Sequence, residues 1–254
     1  MRLIIRYAKG FYMSLGMFCA IPVFYRPWDD SCVNLILPCF PLIGVLLGLI
    51  WWGAAEILVA CGIHIMLASA ALTTVPFLLT GFLHLDGYMD TSDAVLSRRP
   101  LEDKLRILKD PHNGAFSVIM LTVLFTLQFG AVYAAVDLGK KLMPLVLITV
   151  ISRCCSSLSL FSLNVMSQSS YANMFKQNVL VSHKFFVSVL TILTIAASYP
   201  LSGVPGLSAA TFTILGFIGA MTYSYKELKG VSGDLVGFSL VIGELCGLIA
   251  LAVT

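Results

Sequence analysis

The sequence predicts an all-α, polytopic integral membrane bundle of about seven transmembrane helices, preceded by an N-terminal amphipathic or partly inserted helix. Three observations carry that prediction. The 254 residues are 58% hydrophobic and only 11% charged, where a soluble domain carries about 25% charged residues. Mean hydropathy is +0.92. Apolar runs of about 20 residues, the length that crosses a bilayer as a helix, recur along the whole chain.

The elements follow in order. Arg2, Arg6 and Lys9 lie at i, i+4 and i+7, one face of a helix, so the first segment reads as an amphipathic helix on the membrane surface. Pro22 interrupts the apolar stretch 11–24 and no small-residue cleavage site follows, which argues against a secretory leader. Candidate spans are 35–61, 65–83, 114–136, 142–165, 185–201, 204–223 and 235–253. Gly44 with Gly48, and Gly243 with Gly247, have the small-xxx-small spacing that lets helices approach closely in lipid. No repeat or second domain is evident, so residues 1–254 read as one membrane-embedded catalytic domain.

Orientation follows from the basic residues. With the N-terminus in the cytoplasm, the connections 84–113, 166–184 and 224–233 fall inside and hold Arg98, Arg99, Lys104, Arg106, Lys109, Lys176, Lys184, Lys226 and Lys229; the outer connections hold Lys140 and Lys141. The net charge of +3 is too small to imply nucleic acid as a partner. The seven cysteines form no CxxC pair, so they indicate neither a disulfide framework nor a zinc site.

The chemistry concentrates in "FLHLDGYMDTSDAVLSRR", residues 82–99. Asp86, Asp90 and Asp93 share one helical stripe, about 5–6 Å apart between neighbouring Cβ atoms, and each adjacent pair repels by about 3 kcal/mol at an effective dielectric near 20. A divalent cation relieves that repulsion, and oxygen donors favour Mg²⁺, with Mn²⁺ as the alternative. Asp93 reads as a further ligand or the general base, with His84 as the reserve base. Gly87 would let a ligand approach. The plain alternative is an acidic helix end neutralised by Arg98 and Arg99. Those arginines with Arg106 and Lys109 would hold phosphates, and "LKDPHNGAF" places Asp110 and His112 in a polar turn before a helix N-terminus, an anion site or simply a cap.

Within the spans, Arg153 in the serine-rich "VISRCCSSLSLFS" is costly in lipid, at least ~2.5 kcal/mol, and reads as a substrate contact on a cavity wall or a partner of Glu56 or Glu244. Asp234 in "GVSGDLVG" reads as an N-cap at the inner end of the last helix.

Taken together, "GFLHLDGYMDTSDA" (81–94), "RILKDPHNGAF" (106–116), "PLIGVLLG" (41–48), Arg153 and "GVSGDLVG" (230–237) resemble the cobalamin synthase family, the adenosylcobinamide-GDP ribazoletransferases. The resemblance runs over nearly the whole chain. Where the family usually has Ser-Arg-x-Gly after Lys-Asp, this chain has Pro111-His112-Asn113-Gly114. The resemblance implies Mg²⁺-dependent joining of adenosylcobinamide-GDP to α-ribazole or its 5′-phosphate, with release of GMP. It implies Asp86, Asp90 and Asp93 at the metal, Asp93 or His84 in catalysis, and Arg98, Arg99, Lys109, Asp110, His112, Arg153 and Asp234 around the substrates. The expected location is the cytoplasmic (inner) membrane of a prokaryote, with the site facing the cytoplasm. A homo-oligomer and docking of other corrinoid-assembly enzymes are open partner expectations. Two rivals stand beside it. A CDP-alcohol phosphotransferase would need DxxDGxxAR, but Tyr88-Met89-Asp90 follows the Asp-Gly pair here. A cation transporter would use Glu56 and Glu244, but no paired broken helices occupy equivalent halves.

Overall fold

A computed structural model describes residues 2–22, 28–167, 169–176 and 179–254; the end of the apolar stretch 11–24 lies outside them. Ten α-helices are described: α1 (Arg2–Phe18), α2 (Ile36–Ala60), α3 (Ile65–Leu79), α4 (Leu83–Leu96), α5 (Leu101–Ile107), α6 (Ala115–Asp137), α7 (Pro144–Ser162), α8 (Ser170–Lys176), α9 (Val181–Leu228) and α10 (Gly233–Val253). A short 3₁₀ turn, Asp30–Leu35, leads into α2. The protein is an all-α multi-pass membrane bundle.

The spans follow the apolar runs with two differences. The run 65–83 does not cross as one helix: α3 stops at Leu79, and α4 leaves at 91° to it. The cause is local, because Gly81 (φ 58°) and Phe82 (φ 63°) both take the left-handed conformation that ends a right-handed helix. Conversely, the runs 185–201 and 204–223 belong to one assigned element, α9, of 48 residues. At 1.5 Å per residue it would be about 72 Å long, far beyond a hydrocarbon core of about 30 Å. Gly203 breaks it (φ 63°, ψ −148°). A Cβ on Gly206 would stand 2.5 Å from the carbonyl oxygen of Ser198, whereas residues eight apart in a straight helix are about 12 Å apart. The chain therefore doubles back there, and α9 is two crossings.

Small residues hold the helices together. At Gly44 a Cβ would lie 2.6 Å from the Thr149 carbonyl, and at Gly48 2.7 Å from Val146 Cα, so α2 and α7 touch backbone to backbone. The Thr149 hydroxyl donates to the Gly44 carbonyl across this seam at 2.9 Å. Gly243 and Gly247 do the same for α10 against Thr213 and Ala209 of α9. The amphipathic α1 lies across the start of α2, buries Met13 and Leu15, and leaves Ile4 and Ile5 exposed. Lys9 pairs with Asp29 at 2.8 Å and Arg6 donates to the Ser31 carbonyl, fixing α1 to the 3₁₀ turn.

This packing predicts a contrast between two glycines of α2. Gly48→Ala drives a methyl into Val146 and Thr149, an overpacking cost of about 1–3 kcal/mol, and lowers the Tm of the detergent-solubilised protein. Gly53, with nothing within 4 Å of its Cβ position, tolerates Ala with Tm unchanged or raised. Equal shifts in a thermal melt would refute the α2–α7 seam.

Candidate active site

The site is built where α4 crosses the start of α10. A Cβ on Gly87 would fall 2.8 Å from Asp234 Cα, and one on Gly237 would fall 3.2 Å from the His84 carbonyl oxygen. The two glycines thus face each other's helix, and Tyr88 stacks on Phe238 beside them (5.6 Å, 16°). What approaches Gly87 is therefore the α10 backbone, not a ligand as the sequence suggested. The crossing sets Asp234 against Gly87, the residue that follows Asp86. Asp90 stands one turn further along α4, half-buried. Asp234 is not the N-cap: Ser232 caps α10 by accepting from the Leu235 amide, and its hydroxyl donates to Asp234 Oδ2 at 3.2 Å.

Asp93 is placed differently from its two stripe neighbours. Its carboxylate accepts from the Gly114 amide (2.6 Å) and the Ser117 amide (3.1 Å), satisfying the first free N–H groups of α6. The side chain is buried, and Gly114 leaves room for it: a Cβ there would stand 2.5 Å from Asp93 Oδ1. Sequence reasoning put Asp93 with the metal or at the proton; here it anchors α6 to α4. Among the described residues no three His, Cys, Asp or Glu side chains already form a metal cage. Among them, too, no Lys or Arg forms an ion pair with Asp86, Asp90 or Asp234. The result is a group of acids with no counter-charge in contact among the described residues. Mg²⁺ suits such a set, because it keeps several waters and binds through one or two carboxylates plus substrate phosphates.

Beside the acids lies a cavity of about 620 Å³. His84 and Asp234 stand on its wall, which is otherwise mostly aromatic and aliphatic, from α1, Trp28, α2, α4, α7, α8 and α10. His84 is buried against Phe40 (ring centroids 5.8 Å) and Phe18 (6.4 Å), and its Nε2 has no hydrogen-bond partner among the described residues.

Arg153 is not on this wall. Its Nη1 donates to Glu244 (2.7 Å), to the Thr149 carbonyl and to Ser152, and its guanidinium lies 5.6 Å from the Phe40 ring centroid. Of the two partners expected, Glu244 is the one found; Glu56 is exposed and accepts from Trp52 instead. The serines of α7 do not line a cavity either. Ser156 and Ser159 donate to carbonyls of their own helix, Ser157 donates to the Leu37 carbonyl of α2, and Ser152 donates to Glu244. Removing one member of such a buried ion pair strands the other, at about 3–5 kcal/mol.

The basic residues occupy the segment between α4 and α6. Arg98, Arg99 and Lys109 are exposed, Arg98 in the left-handed conformation (φ 55°) that ends α4. Asp110 accepts from the His112 amide (3.0 Å) and ring nitrogen (2.8 Å), contacts that hold its carboxyl below the usual range. Sequence reasoning missed Lys104. It is buried and ion-paired with Glu227 of α9, pinning α5 to the bundle. Two features hinted at it: a lysine at the centre of "LEDKLRI", and a lone acid among the basic residues at the end of α9.

A family model described as cobalamin-5-phosphate synthase matches residues 10–252. Curated relatives named adenosylcobinamide-GDP ribazoletransferase include one from Clostridium botulinum (strain Eklund 17B / Type B), 38% identical over 94% of this chain and 95% of its own. Another, from Clostridium botulinum (strain Alaska E43 / Type E3), is 36% identical over 94% and 95%. A third, from Clostridium perfringens (strain SM101 / Type A), is 35% identical over 96% and 98%. No solved structure matches the chain.

The geometry separates the aspartates by stability. Asp93→Ala removes the cap of α6 and lowers stability by about 1–2 kcal/mol. Asp86→Ala and Asp90→Ala relieve like-charge repulsion and leave Tm unchanged or raised. Thermal melts of the three variants without divalent cation test this, and a Tm that falls equally in all three would reject the assignment of Asp93 to the cap.

Proposed function

The chain belongs to the cobalamin-5-phosphate synthase family, and from that premise we infer that it is the enzyme joining adenosylcobinamide-GDP to α-ribazole, or to its 5′-phosphate, with release of GMP. The observation that carries the reading is the relatives' identity of 35–38% across nearly the full length of both chains. The geometry supports it, since an uncompensated acid cluster beside a ligand-sized cavity suits phosphoryl transfer between two bulky substrates.

The acceptor's 3′-hydroxyl attacks the phosphorus attached to cobinamide. A phosphorus–oxygen bond forms there, the bond to the bridging oxygen breaks, and GMP leaves with that oxygen. Asp86, Asp90 and Asp234 would hold Mg²⁺, or Mn²⁺ in its place, and that ion would supply positive charge to the diphosphate. His84 is the residue proposed to take the hydroxyl proton, as its ring lies on the cavity wall and Asp93 is engaged with α6. Arg98, Arg99 and Lys109, exposed on the neighbouring segment, would steer and hold phosphates. Arg153 acts at one remove, by holding α7 to α10 behind Phe40. The distribution of Lys and Arg favours a site facing the cytoplasm, in the cytoplasmic membrane of a prokaryote.

The test is GMP release by the purified full chain supplied with Mg²⁺, adenosylcobinamide-GDP and α-ribazole. Asp86→Asn and Asp90→Asn should each lower kcat/KM at least about 100-fold, or ~2.7 kcal/mol, and raise the Mg²⁺ needed for half-maximal rate. Wild-type rates in both variants would remove the metal assignment. Release of CMP from a CDP-alcohol, with no GMP from the corrinoid, would replace the reaction.

A further inference from the structure

We propose that the cavity beneath α1 is the subsite for the aromatic base of the ribazole acceptor, an inference that rests on the reaction inferred above. Its volume, about 620 Å³, is that of a pocket for one small organic ligand. A corrinoid ring system is far too large for it. Besides the adenine that the corrinoid itself carries on its cobalt, two planar groups of the substrates remain as occupants, the guanine of the nucleotide and the benzimidazole of the ribazole.

The wall chooses between them. Tyr12, Phe18, Trp28, Phe40 and Phe175 contribute ring surface from α1, the 28–30 turn, α2 and α8. Phe18 and Phe40 are packed against each other at 4.2 Å, a preformed aromatic corner. Guanine is ringed by donors and acceptors that such walls would strand without partners. Benzimidazole is two fused rings with a single free ring nitrogen, and it gains from aromatic faces by stacking and area burial. His84 and Asp234 then fix the polarity of the bound nucleoside. With the base among the aromatic rings, the ribose lies toward these two residues, and Asp234 packs on Gly87, next to Asp86 in the chain. The attacking hydroxyl is thereby delivered to the acid cluster, which is where the donor's diphosphate must sit.

Gly16 of α1 and Trp28, just before the 3₁₀ turn, both stand on the cavity wall. Lys9 and Arg6 fasten α1 to the 3₁₀ turn next to it. α1 is thus a wall of the acceptor subsite as well as a surface helix.

The experiment measures KM for each substrate with the full chain in lipid nanodiscs. Tyr12 and Trp28 are 41% and 56% exposed, so truncating them leaves the bundle intact. Tyr12→Ala and Trp28→Ala should raise KM for α-ribazole fivefold or more, while KM for adenosylcobinamide-GDP stays within twofold. Free benzimidazole should compete with α-ribazole and not with the corrinoid nucleotide. Unchanged KM values in both variants, or a rise confined to adenosylcobinamide-GDP, overturns the assignment and in the latter case gives the cavity to guanine. Competition by a fatty acyl detergent with none by benzimidazole overturns it in favour of a lipid. A wild-type chain that releases no GMP overturns the reaction and this subsite together, whereas normal turnover with indifferent variants overturns the subsite alone.

Discussion

Everything at the site depends on how closely α4 and α10 can cross. Two helices with side chains at the contact keep their axes about 8–10 Å apart; glycines on both sides let the backbones meet. Gly87 and Gly237 are those glycines, and the contact runs from Gly87 to Asp234 and from Gly237 to His84. Asp86 and Asp234 are 148 positions apart in the chain and would be unrelated acids without this contact. The close approach brings their two stretches of chain together, and like charges held so near repel.

The rest of the bundle supports that crossing by removing its own charges from the problem. Arg153 and Glu244 cancel each other between α7 and α10, with Ser152 donating to the same carboxylate oxygen. Lys104 and Glu227 do so between α5 and α9. Asp93 is satisfied by two backbone amides rather than by a cation. Among the described residues, Asp86, Asp90 and Asp234 form no ion pair with a Lys or Arg. The aromatic cavity adjoins them through His84 and Asp234, so apolar recognition and charge meet along one wall.

Much of this was legible in the sequence. The apolar runs located the membrane helices, apart from the run 65–83 that bends after Leu79, and the small-xxx-small glycines marked the α2–α7 and α9–α10 seams because close packing in lipid has few other solutions. The i, i+4, i+7 spacing found the acids. What spacing cannot convey is which way a carboxylate is committed once a second helix arrives. Asp93 shares the stripe, yet the free amides of α6 lie within its reach and claim it. Asp234 read as a cap because it begins a helix, but Ser232, two residues earlier, takes that role and frees the acid. The 91° bend after Leu79 was hidden inside a continuous apolar run, since two successive left-handed residues leave no mark in hydropathy. Arg153 announced itself as an expensive residue, and only the fold could show Glu244 opposite it.

The grip of Asp93 on Gly114 has one more consequence. It ties the two feet of the segment between α4 and α6, making residues 94–113 a closed ring hung from a fixed knot. In a ring of this kind added length is cheap, because doubling a loop costs only about 0.6 kcal/mol of closure entropy. The knot keeps any such change from reaching the acids or the helix that follows. With Lys104 paired to Glu227 as a second mooring, only the exposed stretches on either side of α5 can change length, and the basic side chains they carry stay beside the acids while the machinery they serve stays in register.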